Sequence, residues 1–352
     1  MMHFLHVVGA RPNFMKAAPV LRALSERSAT RQTLVHTGQH YDANMSDVFF
    51  TQLQIPVPDM NLEVGSGSHA QQTAKIMRRF EPVVLRYKPE LVLVYGDVNS
   101  TMAAALVCAK LQIPVAHVEA GLRSFDRSMP EEVNRVITDQ LAEHLFTHSE
   151  DADRNLQQEG VARRKIHNIG NVMIDSLIRF LPLTEQMNGV PQRFALVTLH
   201  RPSNVDDPRA LKNILDCLIE ISRQILVVFP VHPRTCRAIA ALGLCASRLH
   251  LRGPLPYLEF LSLERKATLV ITDSGGIQEE TTYLGVPCIT LRDNTERPIT
   301  VRVGTNVLVG QDSAKMQDEV SRILVGDGKQ GRVPPLWDGH AGERIAEVLH
   351  KI

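Results

Sequence analysis

The sequence predicts an α/β protein made of two doubly wound domains, and two observations predict it. Short apolar, β-branched runs alternate with longer amphipathic stretches along the whole chain. Such continuous apolar strands, separated by helices, indicate parallel sheets covered on both faces. The length of 352 residues, at roughly 150 residues per domain, allows about two domains.

In the first half the strands are expected at Phe4–Val8, Thr33–Thr37, Leu91–Tyr95, Val115–Val118 and Leu145–His148. In the second half they are expected at Phe194–Leu199, Ile225–Val231, Leu249–Arg252, Leu269–Thr272 and Cys288–Leu291. Helical patterns between them include Met15–Ser25, Gln71–Tyr87, Asn99–Leu111, Pro130–Ala142, Asp207–Ser222 and Ile277–Leu284. Pro182, Asn188, Gly189 and Pro191 make Leu181–Arg193 the loosest stretch and the candidate linker. The domains are therefore expected over 1–180 and 181–338, followed by a terminal helix over 339–352.

Composition excludes several classes of function. Lys and Arg number 39 and Asp and Glu 38, a formal net charge of +1, so no broad field attracts nucleic acid or an anionic membrane. Aromatic residues are 5%, with Trp337 the single tryptophan, too few for a stacking platform. The five cysteines (Cys108, Cys217, Cys236, Cys245, Cys288) contain no C-x-x-C pair. They read as small buried hydrophobes in a reducing compartment. The fourteen histidines show no metal-ligand spacing, so neither a metal nor a cofactor is expected. Met1–Val8 lacks a basic leader region, and the longest apolar runs, such as Met102–Ala109, are too short to span a membrane. A cytoplasmic protein without membrane insertion is expected.

Polar residues cluster where the strands end. Phe4–Val8 runs into Gly9-Ala10-Arg11-Pro12-Asn13, Leu91–Tyr95 into Gly96-Asp97, and Val115–Val118 into Glu119. In the second half, Phe194–Leu199 ends in His200-Arg201, Ile225–Val231 in His232, and Leu269–Thr272 in Asp273-Ser274-Gly275-Gly276. Ligands of open parallel sheets bind beyond the carboxyl ends of the strands. The expected site is a cleft across which the two domains face each other.

The segment Asp273–Glu280 reads as a turn of small residues opening a helix. Glycines let a ligand approach the backbone, and helix-start N–H groups suit a phosphate. It also reads as an ordinary turn, with Ser274 capping the helix and a glutamate completing a capping box. Glu280, one turn inside the helix, could accept hydrogen bonds from ribose hydroxyls. No G-x-G-x-x-G follows the first strand, which disfavours a nicotinamide cofactor. Arg11 and Lys16 are cations at a helix start, an unfavourable place that an anionic ligand would explain. Arg297 is a further candidate for that anion. Asp97 and Glu119 each follow an apolar strand, where a charge needs a partner or solvent. Glu131 and Glu132, behind Pro130, also fit plain helix-start chemistry. Several carboxylates near one another can divide acid and base roles. His200 and His232 each cap a strand, and His200 has Arg201 beside it.

Eight motifs stand in order: Gly9-Ala10-Arg11-Pro12, Gly38-Gln39-His40, Gly96-Asp97, His117–Arg123, Pro130-Glu131-Glu132-x-Asn134-Arg135, Thr198–Arg201, Asp273–Glu280 and Thr295–Pro298. With them, the chain resembles the bacterial non-hydrolysing UDP-N-acetylglucosamine 2-epimerases over essentially its whole length. The resemblance implies a glycosyltransferase-B type fold, a UDP-sugar substrate, a homodimer, and inversion at C2 through a 2-acetamidoglucal intermediate. It implies that the first domain holds the sugar and the catalytic carboxylates, and the second the UDP. Asp97, Glu119, Glu131 and His200 match the family's catalytic residues. Arg11, Lys16, Ser274, Gly275, Gly276, Glu280 and Arg297 match its substrate contacts, and Phe260 stands where an aromatic lies beside the uracil. Two positions depart from the pattern. The segment Gln39–Met45 replaces Gln-His-Arg-Glu-Met of substrate-activated members, and Ser203 stands where many members carry glutamate. Further-modified sugars such as UDP-2,3-diacetamido-2,3-dideoxyglucuronate use the same framework. A hydrolysing epimerase, a UDP-sugar glycosyltransferase and a nucleotide-sugar sensor are the rival readings.

Overall fold

The computed structural model describes residues 2–27, 30–39, 56–185, 189, 191–242 and 248–351. The chain divides into two units, Met1–Ser176 with Pro335–Ile352, and Leu177–Pro334. The first carries β1 (Met2–Val8), α1 (Arg11–Ser25), β2 (Thr30–His36), β3 (Met60–Asn61), α2 (His69–Tyr87) and β4 (Leu91–Tyr95). It continues with α3 (Asn99–Lys110), β5 (Val115–Val118), α4 (Pro130–Leu141), β6 (His144–Thr147), α5 (Glu150–Gln158) and β7 (Ile166–Asn168). Helix α6 (Val172–Phe180) crosses the boundary between the units.

The second unit begins with β8 (Phe194–Thr198), α7 (Pro202–Val205), α8 (Pro208–Ile221), β9 (Leu226–Pro230), α9 (Pro233–Ala241) and β10 (His250–Arg252). It ends with α10 (Tyr257–Lys266), β11 (Leu269–Thr272), α11 (Gly275–Leu284), β12 (Cys288–Thr290), α12 (Pro298–Arg302), β13 (Asn306–Leu308) and α13 (Ser313–Leu324). Helix α14 (Ala341–His350) closes the chain and belongs to the first unit.

Every strand pairing among the described residues is parallel. The first sheet has the order β3-β2-β1-β4-β5-β6-β7 and the second β10-β9-β8-β11-β12-β13. Both are Rossmann-like orders that reverse direction between the first and fourth strands, at β1/β4 and at β8/β11. Two such units in one chain make the glycosyltransferase-B type of fold. The central strands are apolar on both faces because helices cover both. Val92, Leu93, Val94 and Tyr95 are all 0% exposed. Register then sets the candidate site. Val7 pairs with Val94, and Tyr95 with Val118, so Gly9, Gly96 and Glu119 leave the first sheet in one row. In the second sheet Thr198 pairs with Thr272, which brings out Leu199-His200 beside Asp273-Ser274.

The sequence expectation put the boundary after residue 180 and left the terminal helix without a domain. The break at Ser176 instead falls inside α6, where no composition change marks it. The terminal helix is held to the first unit by the Asp175 carboxylate, which accepts hydrogen bonds from the amides of Ala341 (3.1 Å) and Gly342 (2.7 Å). Gly342 packs so closely on α1 that a Cβ would lie 2.8 Å from the Pro19 backbone. Trp337 is buried in the same unit, its indole N–H donating to the His148 carbonyl at 3.0 Å. Cys108, Cys217 and Cys288 are buried free thiols, as expected, whereas Cys236 is exposed on α9. Cys245 lies outside the described residues, as do His40 and the departing segment Tyr41–Met45. Among the described residues no helix is long and apolar enough to cross a membrane.

Candidate active site

The row at the end of the first sheet is fixed by Asn13. Its side-chain oxygen accepts from the amides of Gly9 (3.1 Å) and Ala10 (2.9 Å), and its amide nitrogen donates to the Tyr95 carbonyl at 2.7 Å. This bolts the β1–α1 turn to the end of β4. The helix therefore begins at Arg11, four residues earlier than its apolar pattern suggests, because Asn13 satisfies the turn. Arg11 is half-buried in the first turn, while Lys16 now lies in the second turn and is buried.

Lys16 was expected to meet an anionic ligand. Its ammonium instead lies 2.8 Å from both carboxylate oxygens of Glu119. The anion that relieves this cation is inside the protein. Gly96 makes the pairing possible: with φ of 63° it occupies the left-handed region, and a Cβ there would lie 2.7 Å from Nζ of Lys16. Glu119 itself has φ of 73°, an uncommon conformation for a residue other than glycine and one that concentrates at functional sites.

Asp97 follows Gly96 and keeps part of its carboxylate exposed. One of its oxygens takes a 2.6 Å ion pair from Arg135, whose side chain is 1% exposed. The other edge of the Arg135 guanidinium grips Glu132, at 3.1 Å through Nε and 2.9 Å through Nη2. Glu132 in turn accepts from the amides of Ser124 and Phe125, each at 2.9 Å. Burial pushes the Glu132 carboxyl up, but these amides and Arg135 outweigh it and hold it below the usual range. Asn134 adds a 2.8 Å bond to the Asp97 carbonyl. The two glutamates behind Pro130 thus separate: Glu132 faces inward, and Glu131 is exposed on the first turn of α4.

Below this row, His117 bridges the Asp139 carboxylate (2.6 Å) and the Gly96 carbonyl (2.8 Å). Arg123 pairs with Asp139 at 2.7 Å and with Glu159 at 2.6 Å. Burial alone would raise the Asp139 carboxyl, yet His117 and Arg123 leave it below the usual range. Sequence reasoning did not assign roles to Glu132, Arg135, His117 or Asp139. The i, i+3 spacing of Glu132 and Arg135 was the available signal, since it puts both on one face of a helix.

The second sheet ends in a different set. The buried Asp273 carboxylate accepts from the amides of His200 (3.1 Å) and Arg201 (2.9 Å), from Asn204 (3.1 Å), and from Nδ1 of His200 (2.9 Å). Burial would raise its carboxyl, but these donors, His200 foremost, hold it below the usual range. His200 is therefore oriented through Nδ1, with its exposed ring presenting Nε2 outward. Sequence reasoning placed Asp273 in a motif without this role.

Ser274 precedes α11 but makes no side-chain capping bond, and the first turn of α11 contains no acidic residue. The alternative reading as a capped turn with a capping box is thus not met, and no acidic side chain of the first turn answers the positive end of the helix. The two glycines differ. A Cβ at Gly275 would lie 2.4 Å from the Arg297 guanidinium, whereas one at Gly276 would meet nothing within 4 Å. Gly275 makes room for protein and Gly276 leaves open space. Arg297 is buried and ion-paired to Glu279 at 3.1 Å and, more closely, to Glu296. Glu296 also takes a 2.6 Å pair from Arg292. The expected diphosphate cation is thus already neutralised by carboxylates, one of them its neighbour in sequence. Glu280 is buried one turn into α11 and accepts a 2.8 Å hydrogen bond from the Tyr257 hydroxyl. Phe260 is half-buried against the core on one side of this sheet. Ser203 is exposed in α7.

Comparison with known proteins adds a third line to sequence and geometry. The family model for UDP-N-acetylglucosamine 2-epimerase matches residues 22–350. The chain is 44% identical to the UDP-N-acetylglucosamine 2-epimerase of Methanocaldococcus jannaschii, covering 97% of each chain. It is 45% identical to the UDP-2,3-diacetamido-2,3-dideoxy-D-glucuronate 2-epimerase of Pseudomonas aeruginosa, covering 100% of each. The crystal structure of the Methanocaldococcus jannaschii enzyme in complex with UDP-GlcNAc and UDP superposes with a TM-score of 0.93 at 43% identity, covering 100% of both chains. With two Rossmann-like sheets, the motifs standing at their carboxyl ends, and matches of this length, the chain belongs to the UDP-N-acetylglucosamine 2-epimerase family.

Proposed function

We propose that the chain inverts C2 of a UDP-2-acetamido sugar, converting UDP-N-acetylglucosamine to UDP-N-acetylmannosamine, by elimination and re-addition of UDP. A carboxylate takes the C2 proton as the C1–O bond breaks, its electrons leaving on the diphosphate and a C1=C2 double bond forming. The 2-acetamidoglucal is then protonated on the opposite face of C2, and the diphosphate oxygen re-adds to C1. The observation that carries this reading is the pair Asp97 and Glu119, two carboxylates in one row, each with its own buried cation. Inversion needs a proton-transfer group on each face, and separate cations let the two carboxylates differ. Glu131 is the third carboxylate of the sugar end.

The C2 proton is weakly acidic, so charge must be stabilised on the departing diphosphate as it forms. Arg11, His200 through Nε2, the Ser274 side chain and the helix-start amides of Gly275 and Gly276 are assigned that task. Glu280 takes a ribose hydroxyl, and Phe260 lies towards the uracil. Lys16 and Arg297 act one step back, Lys16 by balancing Glu119 and Arg297 by bracing the α11 turn. The 45% identity to the Pseudomonas aeruginosa enzyme favours one second reading, a 2,3-diacetamido uronate as the natural sugar. We read the enzyme as a cytoplasmic homodimer that supplies precursors of surface polysaccharide. Proton NMR with each UDP-sugar tests the choice: the natural substrate gives a new anomeric signal at equilibrium without added cofactor. Release of free UDP and sugar, or transfer only when an acceptor is added, would overturn the epimerase reading.

A further inference from the structure

Glu264, near the end of α10, is 0% exposed, and no donor among the described residues reaches either of its oxygens. Helix α10 packs on α11, and the charge that bears most on the Glu264 carboxyl is the Glu280 carboxylate. Two buried carboxyl groups facing each other need a proton between them, since an uncompensated buried charge is costly. Burial, and after it the charge of Glu280, push the Glu264 carboxyl well above its usual range. The placement is regular. Tyr257 and Glu264 are two helical turns apart on α10, so both face Glu280 on α11, and the Tyr257 hydroxyl already donates to it at 2.8 Å.

We propose that Glu264 is a positioning residue, a carboxylic acid kept in the core to donate a hydrogen bond to Glu280 and hold it toward the ribose. Helix α10 then grips Glu280 from two points, as phenol and as acid. An ionised carboxylate offers about four lone-pair sites, so these two donors do not by themselves exhaust what Glu280 can offer a ribose hydroxyl. Glu280 cannot swing into α10 and cannot take the proton itself while Glu264 holds it. The inference rests on the reading that Glu280 binds ribose.

The test compares UDP with 2′-deoxy-UDP by calorimetry on the full chain. Wild type is expected to prefer UDP by roughly tenfold or more, the value of a hydrogen bond to a charged acceptor. Glu264→Gln keeps a donor and should keep that preference within about twofold. Glu264→Met removes the donor at similar volume and should bring the ratio close to one, with 2′-deoxy-UDP binding preserved. Loss of the preference in Glu264→Gln, or its retention in Glu264→Met, overturns the proposal. Should the Met variant fail to fold, infrared difference spectra decide: a carboxylic-acid carbonyl band present at neutral pH and lost in Glu264→Gln supports it, and absence of that band overturns it. A wild type without preference for UDP removes the ribose role of Glu280, and the proposal with it. That failure is distinct, because it shows before any variant is made.

Discussion

Glu119 is buried, stands at positive φ, and shares its carboxylate with an ammonium, and each constraint depends on a neighbour with little freedom to change. Gly96→Ala would add a Cβ to a left-handed backbone and to the space of the Lys16 ammonium. We expect a loss of about 1–3 kcal/mol in urea unfolding, with kcat falling further than KM changes. Arg135→Lys keeps the charge but loses the fork that spans Asp97 and Glu132. Activity should drop by roughly tenfold to a hundredfold in kcat at nearly constant KM, as expected when a proton-transfer group is mispositioned. Asp273→Asn should cost roughly a hundredfold in kcat, because an amide no longer selects the His200 tautomer; a loss confined to KM would remove His200 from the chemistry. Apart from the i, i+3 spacing of Glu132 and Arg135, these pairings were not legible in the sequence. Lys16 and Glu119 are 103 positions apart, and local reasoning could only record a cation at a helix start. For Arg297 the opposite held, since a counter-charge stood beside it in the sequence at Glu296.

At the scale of elements, the expected strands were legible to within one to three residues, Leu91–Tyr95, Val115–Val118 and Leu269–Thr272 without any difference and β2 starting three residues early at Thr30. Those missed were Met60–Asn61, Ile166–Asn168 and Asn306–Leu308. They sit at or beside sheet edges, and two or three residues are too few for any periodicity to register. Several helices were also unmarked, among them Val172–Phe180 and Ser313–Leu324. The terminal helix was recognised, but its docking was not, because Asp175 lies 166 residues before Ala341. Asp175→Ala should leave two amides of the first turn of α14 without an acceptor. The expected cost is about 1–2 kcal/mol, read as faster amide exchange over 341–350 while β4 stays protected. Unchanged exchange there would show that the packing on Pro19 suffices.

For the whole molecule, the near-zero net charge conceals buried carboxylates in both units. Glu132 and Asp139 in the first unit and Asp273 in the second all lie below their ordinary range when folded. A group whose carboxyl is lower in the folded than in the unfolded chain stabilises the fold fully above its unfolded value. That stability is lost as pH falls through the folded value. Burial also holds His6 and His36 down, to about 3 and about 4. Urea midpoints should therefore begin to fall below about pH 6.5 as the unfolded chain protonates these rings, and the three carboxyls should steepen the fall below about pH 4. Asp273→Asn should flatten part of that fall, and an equal fall in the variant would mean that Asp273 does not contribute.

The parallel direction of the sheets was legible because doubly wound sheets impose it, and the family resemblance supplied the chemistry that geometry alone leaves open. The central claim is that C2 loses its proton and regains one from solvent-exchangeable groups. Incubation with UDP-N-acetylglucosamine, or with the diacetamido uronate if that is the substrate, in D₂O tests it most directly. Mass spectrometry and NMR should find one deuterium at C2 in the product epimer, and then in recovered substrate as the reaction reverses. Formation of the C2 epimer with protium retained at C2 would contradict the mechanism.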